Sequence, residues 1–221
     1  MPLFTCQAVL FDLDGVLVDS TPCVARVWTA WASQHGLDPA YVVHVAHGQK
    51  AIETVRKVAP QLNAEREFRV LEQMELDDTQ GLRVLPGARE LLAALPAERF
   101  TIVTSGTRRI ATKRLQTVGL PVPLNMVTAD EVACGKPHPE PYLAGAAAFG
   151  VSCGDCLVFE DALSGIASAI AAGAQIVGVS TTYKAEELTG AAVVIPSLSS
   201  VQFRGVNARG HLQLHIDEGS R

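Results

Sequence analysis

The chain has 221 residues, 48% of them apolar, and a formal net charge of −5. It is too apolar for a disordered chain, shows no basic patch for a nucleic-acid partner, and has no apolar run of membrane-spanning length. Its amino terminus has no basic region ahead of an apolar stretch, so we expect a cytoplasmic protein. We also expect a monomer or weak homo-oligomer, without a nucleic-acid or membrane partner.

Strand-like apolar runs alternate with helical patterns along most of the chain. The predicted strands are Ala8–Phe11, Phe100–Thr104, Met126–Thr128, Cys156–Phe159, Gln175–Val179 and Ala192–Ile195. The helical patterns between them are Gly87–Leu95, Arg108–Val118, Pro141–Phe149 and Ala162–Ala172. This alternation predicts an α/β fold with a Rossmann-like, doubly wound parallel sheet. Beyond it, Val201–Val206 and His211–Ile216 predict a terminal hairpin.

A second group of helical patterns interrupts the α/β alternation after the first strand. These patterns are Thr21–His35, Ala40–Val45, Ala51–Val58 and Ala64–Leu76. They predict a helical cap at residues 18–81, inserted into a core formed by residues 1–17 and 82–221. Trp28 and Trp31 are expected to pack inside this cap.

Two aspartates follow the first predicted strand. Because side chains of an extended chain alternate between faces, Asp12 and Asp14 point to the same side. Gly15 then allows a sharp turn just past them. Two acids this close repel each other unless they share a cation or a proton. The pair therefore predicts a divalent-metal site with one acid free to attack and the other free to carry a proton.

The next strand ends in Thr104-Ser105-Gly106-Thr107, just before a helical pattern. The Ser105 hydroxyl and the amides of Gly106 and Thr107 can donate to phosphate oxygens at a helix start. Ser105 or Thr107 can equally serve as the N-cap of that helix. Both interpretations stay open from this motif alone.

Lys136 precedes three prolines, Pro137, Pro139 and Pro141. Proline fixes the backbone, so the lysine is presented stiffly. A fixed ammonium can neutralise a transferring phosphoryl group and nearby carboxylates. We favour this function over a solvated loop lysine.

Two adjacent acids, Glu160 and Asp161, follow another apolar strand and precede a helix. An N-cap role accounts for one acid at this place but not for two. We predict that Asp161 is a direct metal ligand and that Glu160 supports the metal site.

Together, Asp12-Leu13-Asp14-Gly15, Ser105, Lys136 and Glu160-Asp161 resemble the haloacid dehalogenase superfamily, and the inserted cap resembles its subfamily IA. His47-Gly48, Thr104-Ser105-Gly106 and Gly135-Lys136-Pro137-His138-Pro139-Glu140-Pro141-Tyr142 resemble its sugar-phosphatase, glycerol-phosphatase and 2-deoxyglucose-6-phosphatase group. The resemblance implies hydrolysis of a small phosphorylated metabolite, a sugar or polyol phosphate, with Mg²⁺ as cofactor.

The resemblance also implies roles for individual residues. Asp12 becomes phosphorylated, and Asp14 acts as acid and then as base. Ser105, Gly106 and Lys136 bind the phosphoryl group, while the cap residues His47, Gly48 and Lys50 contact the substrate. The metal site comprises Asp12, Asp14 through its main-chain carbonyl, Asp161 and Glu160.

Two differences from other branches of the superfamily favour a phosphatase over a dehalogenase or a mutase. Dehalogenases lack the second acid, which is present here as Asp14. β-Phosphoglucomutases carry a cap histidine where this chain has Val24. The missing histidine weakens the case for a hexose-phosphate mutase, which is kept as the alternative enzyme. An inactive binding protein is the third hypothesis.

Overall fold

The computed structural model describes residues 2–217. Its strands are β1 (Leu3–Cys6), β2 (Ala8–Phe11), β3 (Val18–Asp19), β4 (Arg83–Val84), β5 (Phe100–Ile102), β6 (Cys156–Glu160), β7 (Gln175–Val179), β8 (Val193–Ile195), β9 (Val201–Val206) and β10 (Leu212–Ile216). Its α-helices are α1 (Thr21–Gln34), α2 (Pro39–Ala46), α3 (Ala51–Val58), α4 (Ala64–Asp77), α5 (Ala88–Ala94), α6 (Arg108–Val118), α7 (Glu140–Ala147) and α8 (Leu163–Ala172). None of the helices in this range is long and apolar enough to cross a membrane.

The core is a five-stranded parallel sheet in the order β5-β2-β6-β7-β8. Every residue of β2 and β6 is buried, because helices cover both faces of such a sheet. The strands' carboxyl ends meet at one edge, and β2 lies between β5 and β6 there. The predicted α/β fold with a doubly wound parallel sheet is confirmed.

The prediction of a strand at Met126–Thr128 is wrong. Val127 makes only an isolated parallel bridge to Val103. The N–H of Thr128 donates to Glu131 Oε2 at 2.7 Å rather than to a strand, so the chain turns after two ladder bonds. The strand predicted over Phe100–Thr104 likewise ends at Ile102.

A second, antiparallel sheet of order β1-β10-β9 lies beside the core. The predicted terminal hairpin is confirmed as β9 and β10, with an irregularity between Gln213 and Leu214. Strand β1 was not predicted; it joins this hairpin by pairing with β10 along Leu3–Cys6. The two ends of the described chain are thus held together.

Helices α1 to α4 lie between β3 and β4, which pair antiparallel and bring the chain back to the core. These helices enclose a hydrophobic cluster of their own. Trp28 and Trp31 lie in it as expected, with their rings 5.7 Å apart and edge to face. We call these four helices the cap. The division of the chain into domains at residues 18 and 81 stays a prediction.

Candidate active site

A cavity of about 260 Å³ lies between the cap and the carboxyl ends of β2, β5 and β6. Ligand sites of α/β folds are expected at this edge of the sheet. The predicted site residues that line it are Asp12, Asp14, His47, Gly48, Lys50, Ser105, Gly106 and Asp161. The other two, Lys136 and Glu160, are buried behind Asp12.

Asp12 and Asp14 both reach the cavity, while Leu13 between them is fully buried. The Asp12 N–H donates to Phe159 O at 3.0 Å, so the sheet still holds its backbone. Gly15 has φ 87°, and a Cβ there would lie 2.0 Å from Asp161 Oδ2. Only glycine lets the Asp161 carboxylate approach this turn so closely.

Lys136 is 1% exposed, and its ammonium has three partners. Nζ donates to Asp12 Oδ1 at 2.5 Å, to Glu160 Oε1 at 2.6 Å and to Val103 O at 3.0 Å. Burial by itself lowers the pKa of Lys136, but the charges of Asp12 and Glu160 outweigh it and the pKa lies above its ordinary value. The lysine is therefore a permanent buried cation against Asp12.

Glu160 makes four hydrogen bonds. Oε1 accepts from Lys136 Nζ and from the Tyr142 hydroxyl at 2.9 Å, and Oε2 accepts from the N–H groups of Asp161 and Ala162, each at 2.9 Å. A carboxylate has about four lone-pair positions, and all are used. We therefore expect Glu160 to orient Lys136 and Asp161 rather than to bind a metal directly.

Asp12 and Asp161 have the chemistry of a magnesium site. Burial, opposed by Lys136, raises the pKa of Asp12 to about 7. Burial together with the charges of Glu160 and Asp12 raises the pKa of Asp161 well above its ordinary value. Among residues 2–217 no cation lies within ion-pair distance of Asp161. Clustered carboxylate oxygens with excess negative charge fit Mg²⁺, a hard cation that prefers oxygen ligands.

Asp14 is held by two donors that lie outside the sequence motifs, Ser20 and Arg114. Ser20 Oγ donates to Oδ1 and Arg114 Nη1 to Oδ2, each at 2.6 Å. Arg114 belongs to the buried face of α6, together with Ile110 and Leu115. A charged residue within an apolar helical stripe was the available signal for it.

The loop between α2 and α3 brings His47, Gly48 and Lys50 to the cavity. Ser105 Oγ and Ser164 Oγ both donate to Gly48 O, at 2.9 and 3.1 Å, so the cap is docked on the core. Burial, followed by the charge of His44, lowers the pKa of His47. The Lys50 ammonium donates to Val132 O at 2.7 Å. Its predicted contact with substrate stays a prediction.

Cys134, His138 and Glu140 form a second group of metal-binding residue types, with ligand atoms within 4.8 Å of one another. Glu140 Oε1 and Oε2 accept from the N–H groups of Ala133 and Cys134, at 2.7 and 2.8 Å. These bonds hold the loop that carries Lys136, which accounts for Glu140 without a metal.

Comparison with known proteins decides the family. A sequence profile described as a haloacid dehalogenase-like hydrolase matches residues 6–173. The chain belongs to this family. The aspartates, the buried lysine and the Glu160-Asp161 pair all lie within the matched region, so the family predicted from those motifs is confirmed.

The relatives of this haloacid dehalogenase-like hydrolase include named phosphatases. Hexitol phosphatase A of Escherichia coli (strain K12) is 41% identical over 201 residues, covering 89% of this chain and 93% of that protein. Glycerol-1-phosphate phosphohydrolase 2 of Saccharomyces cerevisiae is 35% identical, covering 91% and 86%. A hydrolase from Pseudomonas syringae has a similar structure, with a TM-score of 0.80, 30% identity and coverage of 88% and 94%. The prediction of an enzyme of the phosphatase class is confirmed.

Proposed function

We propose that the chain hydrolyses phosphomonoesters of small sugars or polyols, with Mg²⁺, through a phosphorylated Asp12. One observation carries the proposal: Asp12, Asp14 and Asp161 line the same cavity, and the buried Lys136 ammonium is bonded to Asp12. The named activities of the relatives, on hexitol and glycerol phosphates, support the substrate class.

The first step forms a bond between Asp12 Oδ and phosphorus and breaks the ester bond to the leaving oxygen. Asp14, whose carboxyl group reaches the same cavity, supplies the proton to that oxygen. Water then attacks the phosphorus of the aspartyl phosphate, Asp14 accepts its proton, and inorganic phosphate leaves. Lys136 and the loop of Ser105 and Gly106 stabilise the charge on the phosphoryl oxygens. For this the Ser105 hydroxyl has to turn away from Gly48 O, to which it donates here.

The metal would be held by the carboxylates of Asp12 and Asp161 and by the main-chain carbonyl of Asp14. Bound Mg²⁺ neutralises charge on the carboxylates and the phosphoryl oxygens. The cap encloses the leaving group: Trp28, Ile52 and Phe68 give the cavity an apolar side, and Gln49 and Glu75 give it polar groups. Such a mixed wall suits the carbon chain and hydroxyl groups of a polyol.

Phosphate release tests the proposal. Purified protein with Mg²⁺ is assayed on glycerol 1-phosphate, a hexitol 6-phosphate, 2-deoxyglucose 6-phosphate and 4-nitrophenyl phosphate. We expect turnover by the wild type and none by Asp12→Asn, a variant of nearly the same shape. When the wild-type reaction is quenched with acid, we expect to find phosphate bound covalently to Asp12. Turnover by Asp12→Asn, or phosphate trapped on another residue, contradicts the mechanism.

The alternatives have distinct outcomes in the same assay. A hexose-phosphate mutase converts β-glucose 1-phosphate to glucose 6-phosphate without net phosphate release, whereas we expect free phosphate. An inactive binding protein retains phosphate esters without releasing phosphate from any of them.

A further inference from the structure

Arg114 is a buried cation placed between the core and the cap. Its side chain is 7% exposed and belongs to α6 in the core. Because a guanidinium stays charged in proteins, its burial requires carboxylate partners. Two acids fill that need, and they come from opposite sides of the cavity.

One guanidinium nitrogen binds the core and the other binds the cap. Nη1 donates to Asp14 Oδ2 and Nη2 donates to Glu75 Oε2, both at 2.6 Å. Glu75 belongs to α4 of the cap, and its side chain is 10% exposed. The planar guanidinium fixes the direction of both bonds, so the position of Glu75 restricts the orientation that Arg114 offers to Asp14.

We propose that Arg114 is a positioning residue that orients the Asp14 carboxyl group, and that Glu75 makes this orientation depend on the docking of the cap. The inference rests on the proposed function, in which Asp14 gives a proton to the leaving oxygen. When α4 moves away from α6, Arg114 loses one of its two carboxylates and its fixed direction. Asp14 is then correctly oriented only when the cap is docked on the core.

A neighbouring contact joins the same two elements without touching Asp14. Glu72 of α4 accepts from Thr107 Oγ1 at 2.7 Å and from Arg109 Nη1 at 2.8 Å. Glu72 and Glu75 lie in the same helix, where alanine has the best intrinsic propensity. Glu72→Ala is therefore a matched control: it removes these two contacts between α4 and the core, while the contacts of Gly48 and of Arg114 still hold the cap in place.

The experiment compares kcat/KM for glycerol 1-phosphate and for 4-nitrophenyl phosphate in the holoenzyme. The alkoxide leaving group needs a proton, whereas 4-nitrophenolate leaves without one, and kcat/KM excludes the later hydrolysis of the phosphoenzyme. We expect Glu75→Ala to lower kcat/KM for glycerol 1-phosphate by roughly 10- to 100-fold, which is part of the usual contribution of a general acid. For 4-nitrophenyl phosphate we expect kcat/KM to fall by less than about threefold.

Variants of Arg114 provide the second measurement. Arg114→Gln is expected to show the same selectivity between the two esters as Glu75→Ala. Arg114→Lys keeps the charge but cannot hold Asp14 and Glu75 in two fixed directions, so we expect an intermediate loss of kcat/KM on glycerol 1-phosphate. The double variant Glu75→Ala/Arg114→Gln should lose less than the product of the two single losses, since the pair acts as a unit.

Several results overturn the inference. Equal losses on both esters show that Glu75 serves general docking only, and so does the same selectivity in Glu72→Ala. Single losses that multiply in the double variant show that Glu75 acts on the polyol directly and not through Arg114. In each of these cases an active wild type leaves the proposed function intact. A wild type without turnover on either ester contradicts the proposed function and the positioning role together.

Discussion

The Lys136 ammonium lies 2.5 Å from Asp12 Oδ1, although 124 positions separate the two residues in the chain. It also bonds Glu160, which in turn accepts from the main chain of the next two residues. A hydrogen-bonded path thus runs from the end of β2 to the start of α8 through the side chains of Asp12, Lys136 and Glu160. The lysine therefore stabilises the fold as well as the charge of Asp12.

Replacing Lys136 by Met removes this cation and leaves Asp12 and Glu160 buried without an ionic partner. We expect a loss of about 3–5 kcal/mol in the free energy of unfolding and the loss of phosphatase turnover. Urea denaturation measures the first quantity. The control is Lys113→Met at an exposed position of α6, for which we expect a change within about 0.5 kcal/mol. Equal stability of the two variants would contradict the structural role of Lys136.

Removing the metal should lower the stability of the wild type. A ligand at 100 times its Kd adds about 2.7 kcal/mol, and Mg²⁺ is expected to raise the melting temperature accordingly. Asp161→Asn should shrink this increase, and its metal-free form should be at least as stable as the metal-free wild type, since one buried like charge is removed. Asp155→Asn, an exposed substitution, should respond to Mg²⁺ as the wild type does. An undiminished response in Asp161→Asn would rule out Asp161 as a ligand.

Gly48 lies where the cap contacts the core. Its φ is 70°, and a Cβ would lie 2.6 Å from Ser164 Oγ and 2.8 Å from Ala162 Cβ. Gly36 has nearly the same backbone, with φ 67°, but nothing within 4 Å of the added atom. Both alanine variants carry the backbone strain, whereas only Gly48→Ala separates the cap from the core. We expect a roughly tenfold to 100-fold loss of kcat/KM on glycerol 1-phosphate for Gly48→Ala alone.

The core sheet could be predicted from the sequence because its strands are short, continuous apolar runs between helical patterns. Strand β1 could not: only Cys6 of its four residues is fully buried, and its partner lies at the other end of the chain. The failure at Met126–Thr128 has a local cause, since the side chain of Glu131 takes the N–H that a further strand pair needs. The apolar content of a segment indicates that it is buried. Whether it pairs as a strand depends on the segments that lie beside it in the fold.

The motif residues of the site could be predicted because parallel strands end at one edge of the sheet. Asp12, Ser105 and Asp161 each follow such an end and line one cavity. Arg114 and Glu75 were missed because they lie within helices that come from different parts of the chain. Their contact depends on how the cap docks on α6, and no local pattern in the sequence specifies that.

The five cysteines should differ sharply in reactivity. Cys134 is exposed, while Cys6, Cys23, Cys153 and Cys156 are buried and unpaired. Burial raises the pKa of the Cys6 and Cys156 thiols to about 12, so both stay protonated in the folded chain. In the native protein we expect one thiol to react rapidly with 5,5′-dithiobis(2-nitrobenzoic acid), and five in denaturant.

The same thiols predict how stability depends on pH. Unfolded thiols lose their protons near pH 8.5, whereas the folded chain retains them, so the free energy of unfolding should fall as the pH rises from about 8.5 towards 11. Urea denaturation at pH 8 and pH 10 measures this change. Cys134→Ser is the control, because it should abolish the rapid reaction and leave the alkaline loss unchanged. Several fast thiols in the native protein, or equal stability at both pH values, would contradict the burial of these side chains.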